Sequence, residues 1–211
     1  MSASYRTVAS PGQDEIVIQK SRFIADCTPV QSEEEAIRFL ESIRQKTRDA
    51  RHHCYAYTIG SNMGVMRYSD DGEPAGTAGL PMMEVIKREA VCNVCVVVTR
   101  YFGGILLGAA GLLRAYTQAC SLGLKAAGIV TMEPTVSVLC DVPYPLWDRV
   151  QYHLKSQPVQ IVSPEYASSV NFTLLVREAD CEAVLKDLEQ VTLGQMTTLI
   201  DETRYQAWAG N

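Results

Sequence analysis

A chain of 211 residues with 47% apolar and 20% charged side chains can bury a sizeable core and carries no low-complexity or disordered signature. Its net charge of −5 excludes a general nucleic-acid coat, which needs a positive excess to neutralise many phosphates. Arg100 and Arg114 bracket the longest apolar run, so no window reaches the roughly 18 apolar residues that span a bilayer.

In chain order, Ile16 to Gln19 and Phe23 to Val30 read as a strand hairpin with Lys20-Ser21 between them. Ser32 is the expected N-cap of a helix with Glu33 to Glu35 in its first turn, where the helix dipole favours acids, and Ala36, Ile37, Leu40 and Ile43 at core spacing. Cys54 to Ile59 and Val65 to Tyr68 form a second hairpin around Gly60-Ser61-Asn62-Met63-Gly64. A helix from Ala78 to Arg88, a buried strand from Val91 to Tyr101 and a helix from Ala109 to Ala127 follow.

A composition change at Glu133-Pro134 divides the chain into domains 1–132 and 133–211. Charge divides with it: residues 1–130 hold 14 basic and 13 acidic side chains, residues 131–211 hold 5 and 11. The second domain reads strand Val136–Asp141, helix Pro145–Lys155, strand Val159–Val162, strand Ser169–Val176, helix Cys181–Glu189, strand Met196–Ile200. That βαββαβ order is the ferredoxin-like pattern, and the whole chain is expected to be α+β.

Two glycine-rich turns each feed a helix. In the first, residues 69–81, Gly72, Gly76 and Gly79 permit close backbone approach, Thr77 is an N-cap hydroxyl, and free amides at the helix start suit a phosphate or carboxylate. Alternatively Asp70, Asp71 and Glu73 hold a hard cation. In the second, residues 99–116, Gly103, Gly104, Gly108 and Gly111 free the backbone while Arg100 and Arg114 supply fixed positive charge. Neither a correctly placed G-x-G-x-x-G nor a Gly-Lys-Ser/Thr triplet occurs, which removes the two specific nucleotide motifs. Tight turns and close helix-to-sheet packing explain such glycines without any ligand, and that reading stands beside the anion cleft.

The remaining chemistry is weaker. Seven cysteines lie singly in apolar segments, as suits a reducing cytosol. Cys92 and Cys95 read as strand cysteines rather than a metal or redox pair. His52 and Cys54 share a strand face, but no third orienting group is visible, so packing or ligand contact is preferred to a nucleophile; His52 and His53 point to opposite faces, which removes a two-histidine zinc site. Tyr101, Phe102 and Tyr116 either stack on bases or belong to the core. The polar stretch Met1 to Gly12 has no secretory core, and a cytoplasmic protein without membrane partner is expected.

The segments A-R-H-H-C-Y-A-Y, S-D-D-G-E-P-A-G-T-A-G-L-P-M and V-V-V-T-R-Y-F-G-G-I-L-L-G-A-A-G-L-L-R-A-Y resemble the YigZ/Impact family over nearly the whole chain. The resemblance implies a first domain folded like a small-subunit ribosomal protein domain shared with elongation factor G and the GHMP kinases, and a second domain like one in elongation factor G. Eukaryotic Impact proteins regulate translation by competing for the activator of an initiation-factor kinase, a pathway that bacterial members lack. The resemblance carries over Arg51, His52, the Asp70 to Gly79 segment, the stretch Arg100, Tyr101, Phe102, Gly103 and Gly104, and Gly108, Gly111 and Arg114 as binding residues, with no catalytic role. It departs at Ala110, where the family commonly has Gly. The leading expectation is a non-enzymatic, translation-linked regulator that binds RNA, the ribosome or a translation factor without a cofactor. The alternative is an enzyme or sensor for a small phosphorylated ligand or nucleotide in the glycine-rich cleft.

Overall fold

A computed structural model describes residues 4–208; residues 1–3 and 209–211, the outer ends of the two expected domains, lie outside the described residues. The chain divides into two units, Tyr5–Thr131 and a second that begins at Met132. Glu133 and Pro134 lie inside a continuous strand. No helix among the described residues is long and apolar enough to cross a membrane.

The first unit runs β1 (Tyr5–Val8), β2 (Gly12–Ile18), β3 (Ser21–Pro29), α1 (Glu33–Lys46), β4 (His52–Ile59), β5 (Val65–Ser69), α2 (Gly79–Arg88), β6 (Val94–Tyr101) and α3 (Gly108–Ala127). Five strands form an antiparallel sheet in the order β2-β3-β6-β4-β5. Strand alternation sorts the apolar residues onto two faces. Phe23, Ala25, Ala56, Val96 and Val98 pack against α2 and α3, whereas Tyr57, Cys95 and Val97 pack against α1. β6 lies at the centre, and Val94 to Arg100 are all buried.

Local chemistry sets the boundaries. Ser32 caps α1 as its hydroxyl accepts from the Glu35 amide at 3.3 Å, while the Glu35 carboxylate reaches back to the Gln31 amide at 2.7 Å. Ile37 is 51% exposed rather than core, because the stripe Ala36, Leu40, Ile43 already faces the sheet and residue 37 sits a helical step away from it. The β2–β3 turn is Gln19-Lys20, not Lys20-Ser21: both have positive φ, 46° and 64°, and Ile18 pairs with Ser21. β6 begins three residues later than expected because Ala90 and Asn93 adopt positive φ and Asn93 turns the chain.

The second unit is built from β7 (Ile129–Val142), whose first three residues belong to the first unit, and from α4 (Tyr144–Leu154), β8 (Val159–Tyr166), β9 (Val170–Arg177), α5 (Cys181–Thr192) and β10 (Thr197–Ala207). Its strands order β10-β7-β9-β8 with antiparallel neighbours, the ferredoxin-like arrangement. Val136, Val138, Cys140, Phe172, Leu174 and Val176 share one face with Trp147, Val150, Val184 and Leu188 of the two helices. β10 extends well past Ile200 because a register shift between Ile200 and Glu202 lets the polar residues 202–207 keep pairing with β7.

Candidate functional site

The first glycine-rich turn lies between β5 and α2. Asp70, just past β5, turns its carboxylate onto the start of α2: Oδ1 accepts from the Ala78 and Gly79 amides at 3.0 and 2.8 Å, and Oδ2 from Gly76 at 2.8 Å. The helix start that the sequence offers to a ligand anion is therefore filled by the protein's own carboxylate. Thr77 is not the cap; its hydroxyl donates to the Pro74 carbonyl at 2.7 Å, and the N-cap position is Ala78 without a side-chain bond. Gly79 is required by contact, since a Cβ there would stand 2.8 Å from the Ser69 backbone. Gly72 and Gly76 both have positive φ.

The acids do not converge on a cation. Asp71 accepts from the His53 amide at 2.7 Å and from Arg44 at 3.1 Å, while its carbonyl accepts from Nδ1 of His52 at 2.8 Å. Glu73 points inward to Arg100, whose Nη1 donates to both carboxylate oxygens at 2.7 and 2.9 Å, and Tyr116 adds its hydroxyl at 2.8 Å. Arg100 and Glu73 are 6% and 8% exposed, so the arginine's charge is spent on an internal pair rather than offered to solvent. Its guanidinium lies 5.5 Å from the centroid of Phe23 and 5.6 Å from that of Phe102. Among the described residues no group of three or more His, Cys, Asp or Glu is arranged to hold a metal.

Cys54 lies on the same face as His52 and donates its thiol to the Asp70 carbonyl at 3.0 Å. Burial pushes that thiol up to about 12, with the Tyr116 hydroxyl opposing the shift and Glu73, Asp71 and Asp70 adding to it, so it carries no thiolate near neutrality. Burial likewise raises the Tyr116 phenol, with Cys54 and Glu73 adding to the effect. His53 is lowered by desolvation, which outweighs the attraction of Asp71. Cys54 and Tyr116 complete a buried polar cluster around Glu73; no sequence spacing links positions 54, 73, 100 and 116, and only the sheet register with α3 brings them together.

The second turn is open. α3 begins at Gly108 with no side-chain cap and no acid in its first turn. Gly104 and Gly108 have positive φ, and Gly103 is pressed so closely on the Lys20 and Ser21 backbone that no Cβ fits. The Gly103 amide donates to the Ser21 hydroxyl at 3.2 Å, which fixes the β2–β3 hairpin tip, with exposed Lys20, against the turn. Gly111 and Ala110 sit inside α3; Ala110 is absent from the positive-φ residues, so Ala carries no backbone strain there. Tyr101 donates to Asp49 at 3.0 Å and so holds the loop carrying exposed Arg48 and Arg51 against the end of β6. Phe102 is 48% exposed, Tyr116 is fully buried, and Arg114 is exposed on α3. The candidate residues thus fall into two sets: Asp70, Asp71, Glu73, Gly76, Thr77, Gly79, His52 and Arg100 interlock internally, while Arg51, Tyr101, Gly103, Gly104, Gly108 and Arg114 border solvent or the open turn. Lys20 and Arg48 join the second set, and the sequence reading missed them because only the Gly103–Ser21 and Tyr101–Asp49 contacts carry them there.

Comparison with known proteins bears on the whole chain. Residues 19–124 match the Impact N-terminal domain and residues 140–195 match a domain of unknown function, DUF1949. The chain is 38% identical over 211 residues to the IMPACT family member YvyE of Bacillus subtilis (strain 168), covering 100% of this chain and 97% of that one. It is 33% identical over 181 residues to the IMPACT family member YigZ of Escherichia coli (strain K12), covering 83% and 89%, and 38% identical over 100 residues to the Protein IMPACT homolog of Saccharomyces cerevisiae, covering 45% and 38%. A crystal structure titled as that of a hypothetical protein superposes with a TM-score of 0.61 at 31% identity over 96% of this chain and 99% of the other. This two-unit chain, with its paired glycine-rich turns, belongs to the Impact family.

Proposed function

We infer that the protein is a non-enzymatic binding protein of the cytosol that engages RNA, free or within the translation machinery, at the open end of the first unit's sheet. The observation that carries this reading is the exposed set Lys20, Arg48 and Arg51 gathered where β6 ends, beside half-exposed Phe102 and the uncapped start of α3. Cations that lack ion-pair partners among the described residues suit phosphates, and an exposed ring beside them suits an unstacked base. The buried cluster supports a non-catalytic reading, since its thiol and phenol are held protonated and its arginine is neutralised. Membership of a family whose eukaryotic branch carries the Impact name agrees with a translation-related role.

Fluorescence anisotropy with labelled single-stranded RNA tests it. Affinity is expected to fall as salt rises, and each of Lys20→Ala, Arg48→Ala, Arg51→Ala and Arg114→Ala should flatten the dependence of log K on log salt by about 0.7. Phe102→Ala should weaken binding at all salt concentrations by about 1–3 kcal/mol without changing that slope. Tight, salt-insensitive binding untouched by these changes would reject the site.

One observation favours a second reading. α3 begins without the carboxylate that Asp70 gives to α2, so its first amides remain available to a small phosphorylated ligand. Thermal-shift screening with nucleotides, phosphometabolites and inorganic phosphate separates the two, because only a ligand that binds the folded state raises Tm.

A further inference from the structure

The second unit's sheet has its two faces finished differently. One is covered by α4 and α5; the other carries two adjacent cross-strand rows that run over all four strands. The first row is Leu199, Leu139, Thr173 and Val162, in register from β10 through β7 and β9 to β8. Leu199 and Leu139 are 63% and 43% exposed, and Val162 is exposed beside them. The second row, two residues along each inner strand, is Thr197, Asp141, Asn171 and Glu165. Together the rows, Val162 apart, line a shallow hollow of about 450 Å³. Period-two alternation puts both rows on one face; the exposed patch ends there, since Ser137 and Leu175, the next positions along the same face, are buried.

Charge selects the occupant. Asp141 accepts a hydrogen bond from Ser169, and neither Asp141 nor Glu165 has an ion-pair partner among the described residues. The unit's cations are committed elsewhere: Arg177 pairs with Glu133, Arg204 with Glu202, and Arg149, Lys155 and Lys186 belong to the helices of the opposite face or their ends. An apolar row beside an uncompensated acidic row repels phosphates and suits aliphatic side chains flanked by cations. We propose that this sheet face is a docking surface for a basic, aliphatic-bearing segment of a partner protein. It lies on a different unit from the RNA-binding end and stands or falls independently of it.

The test titrates isotope-labelled full-length protein with a strand-length peptide alternating Leu and Lys, its Leu/Glu counterpart, and oligouridylate. The Leu/Lys peptide is expected to shift the amides of residues 139–141, 171–173 and 197–199 and the methyls of Leu139 and Leu199. Binding should weaken about tenfold in Leu139→Ser with Leu199→Ser. Glu165→Lys, which leaves the apolar row intact, should weaken the Leu/Lys peptide and strengthen the Leu/Glu one. The proposal is overturned if the two peptides bind alike, if the shifts fall elsewhere, if Glu165→Lys changes neither affinity, if oligouridylate shifts the same residues, or if nuclear Overhauser contacts in the free protein show the first unit seated on Leu139 and Leu199.

Discussion

Glu73 and Arg100 are 27 residues apart in sequence and 2.7 Å apart in space, and Tyr116 donates to the same carboxylate oxygen at 2.8 Å. Both charges are buried, so each compensates the other's lost hydration. Removing one partner strands the other: Arg100→Ala or Glu73→Ala should lower stability by about 3–5 kcal/mol. Tyr116→Phe, which removes one hydrogen bond to a charged group, should cost about 1.5–3 kcal/mol. Urea denaturation measures all three, and a loss below 1 kcal/mol in Arg100→Ala would contradict the buried pair.

Asp70 serves as the anion at the start of α2. Asp70→Ala leaves the amides of Gly76, Ala78 and Gly79 without their acceptor and should cost about 2 kcal/mol, with Asp70→Asn intermediate because an amide oxygen still accepts. If Asp70→Ala opened a new phosphate site, a thermal shift with inorganic phosphate would appear in the variant and not in the unmodified protein.

Alkaline pH should destabilise the protein through its buried thiols. Burial raises Cys54, Cys95 and Cys140 from 9.0 to about 12. Above pH 9 the unfolded chain loses protons that the folded chain keeps, so stability is complete below pH 9 and is lost as pH rises towards 12, at up to about 1.4 kcal/mol per unit for each thiol. Equilibrium unfolding across pH 8 to 11 checks the sign. Consistently, all seven cysteines are free and buried, and native protein should resist iodoacetamide at pH 8 until denaturant is added.

The two turns should tolerate substitution unequally. Gly79→Ala and Gly103→Ala each force a Cβ into neighbouring backbone and should cost about 1–3 kcal/mol or more. Ala110→Gly should instead lower stability by about 0.5–1 kcal/mol, because position 110 is helical and Gly loses more backbone entropy. Thermal melts of the three variants decide this, and a stabilised Ala110→Gly would show that helical φ at 110 is wrong.

The sequence by itself determined which segments become helices and strands, because periodicity, the Ser32 cap and the glycine-rich turns act over a few residues. The βαββαβ order of the second unit and the α+β class followed from those local signals. It did not reveal β1, a four-residue strand with a polar centre, the full length of β2 and β10, whose polar residues suit exposed or edge positions rather than a buried period, or the start of β7, where Glu133-Pro134 reads as a break. Tertiary structure alone decided what the candidate charges do. Arg100 and Arg114 are alike as residues, yet Arg100 falls on the buried face of β6 opposite Glu73 while Arg114 falls on the outer face of α3. Whether a carboxylate fills a helix start, or leaves it for a ligand, depends on where the chain returns in space: Asp70 returns to the start of α2, whereas among the described residues no carboxylate caps the start of α3.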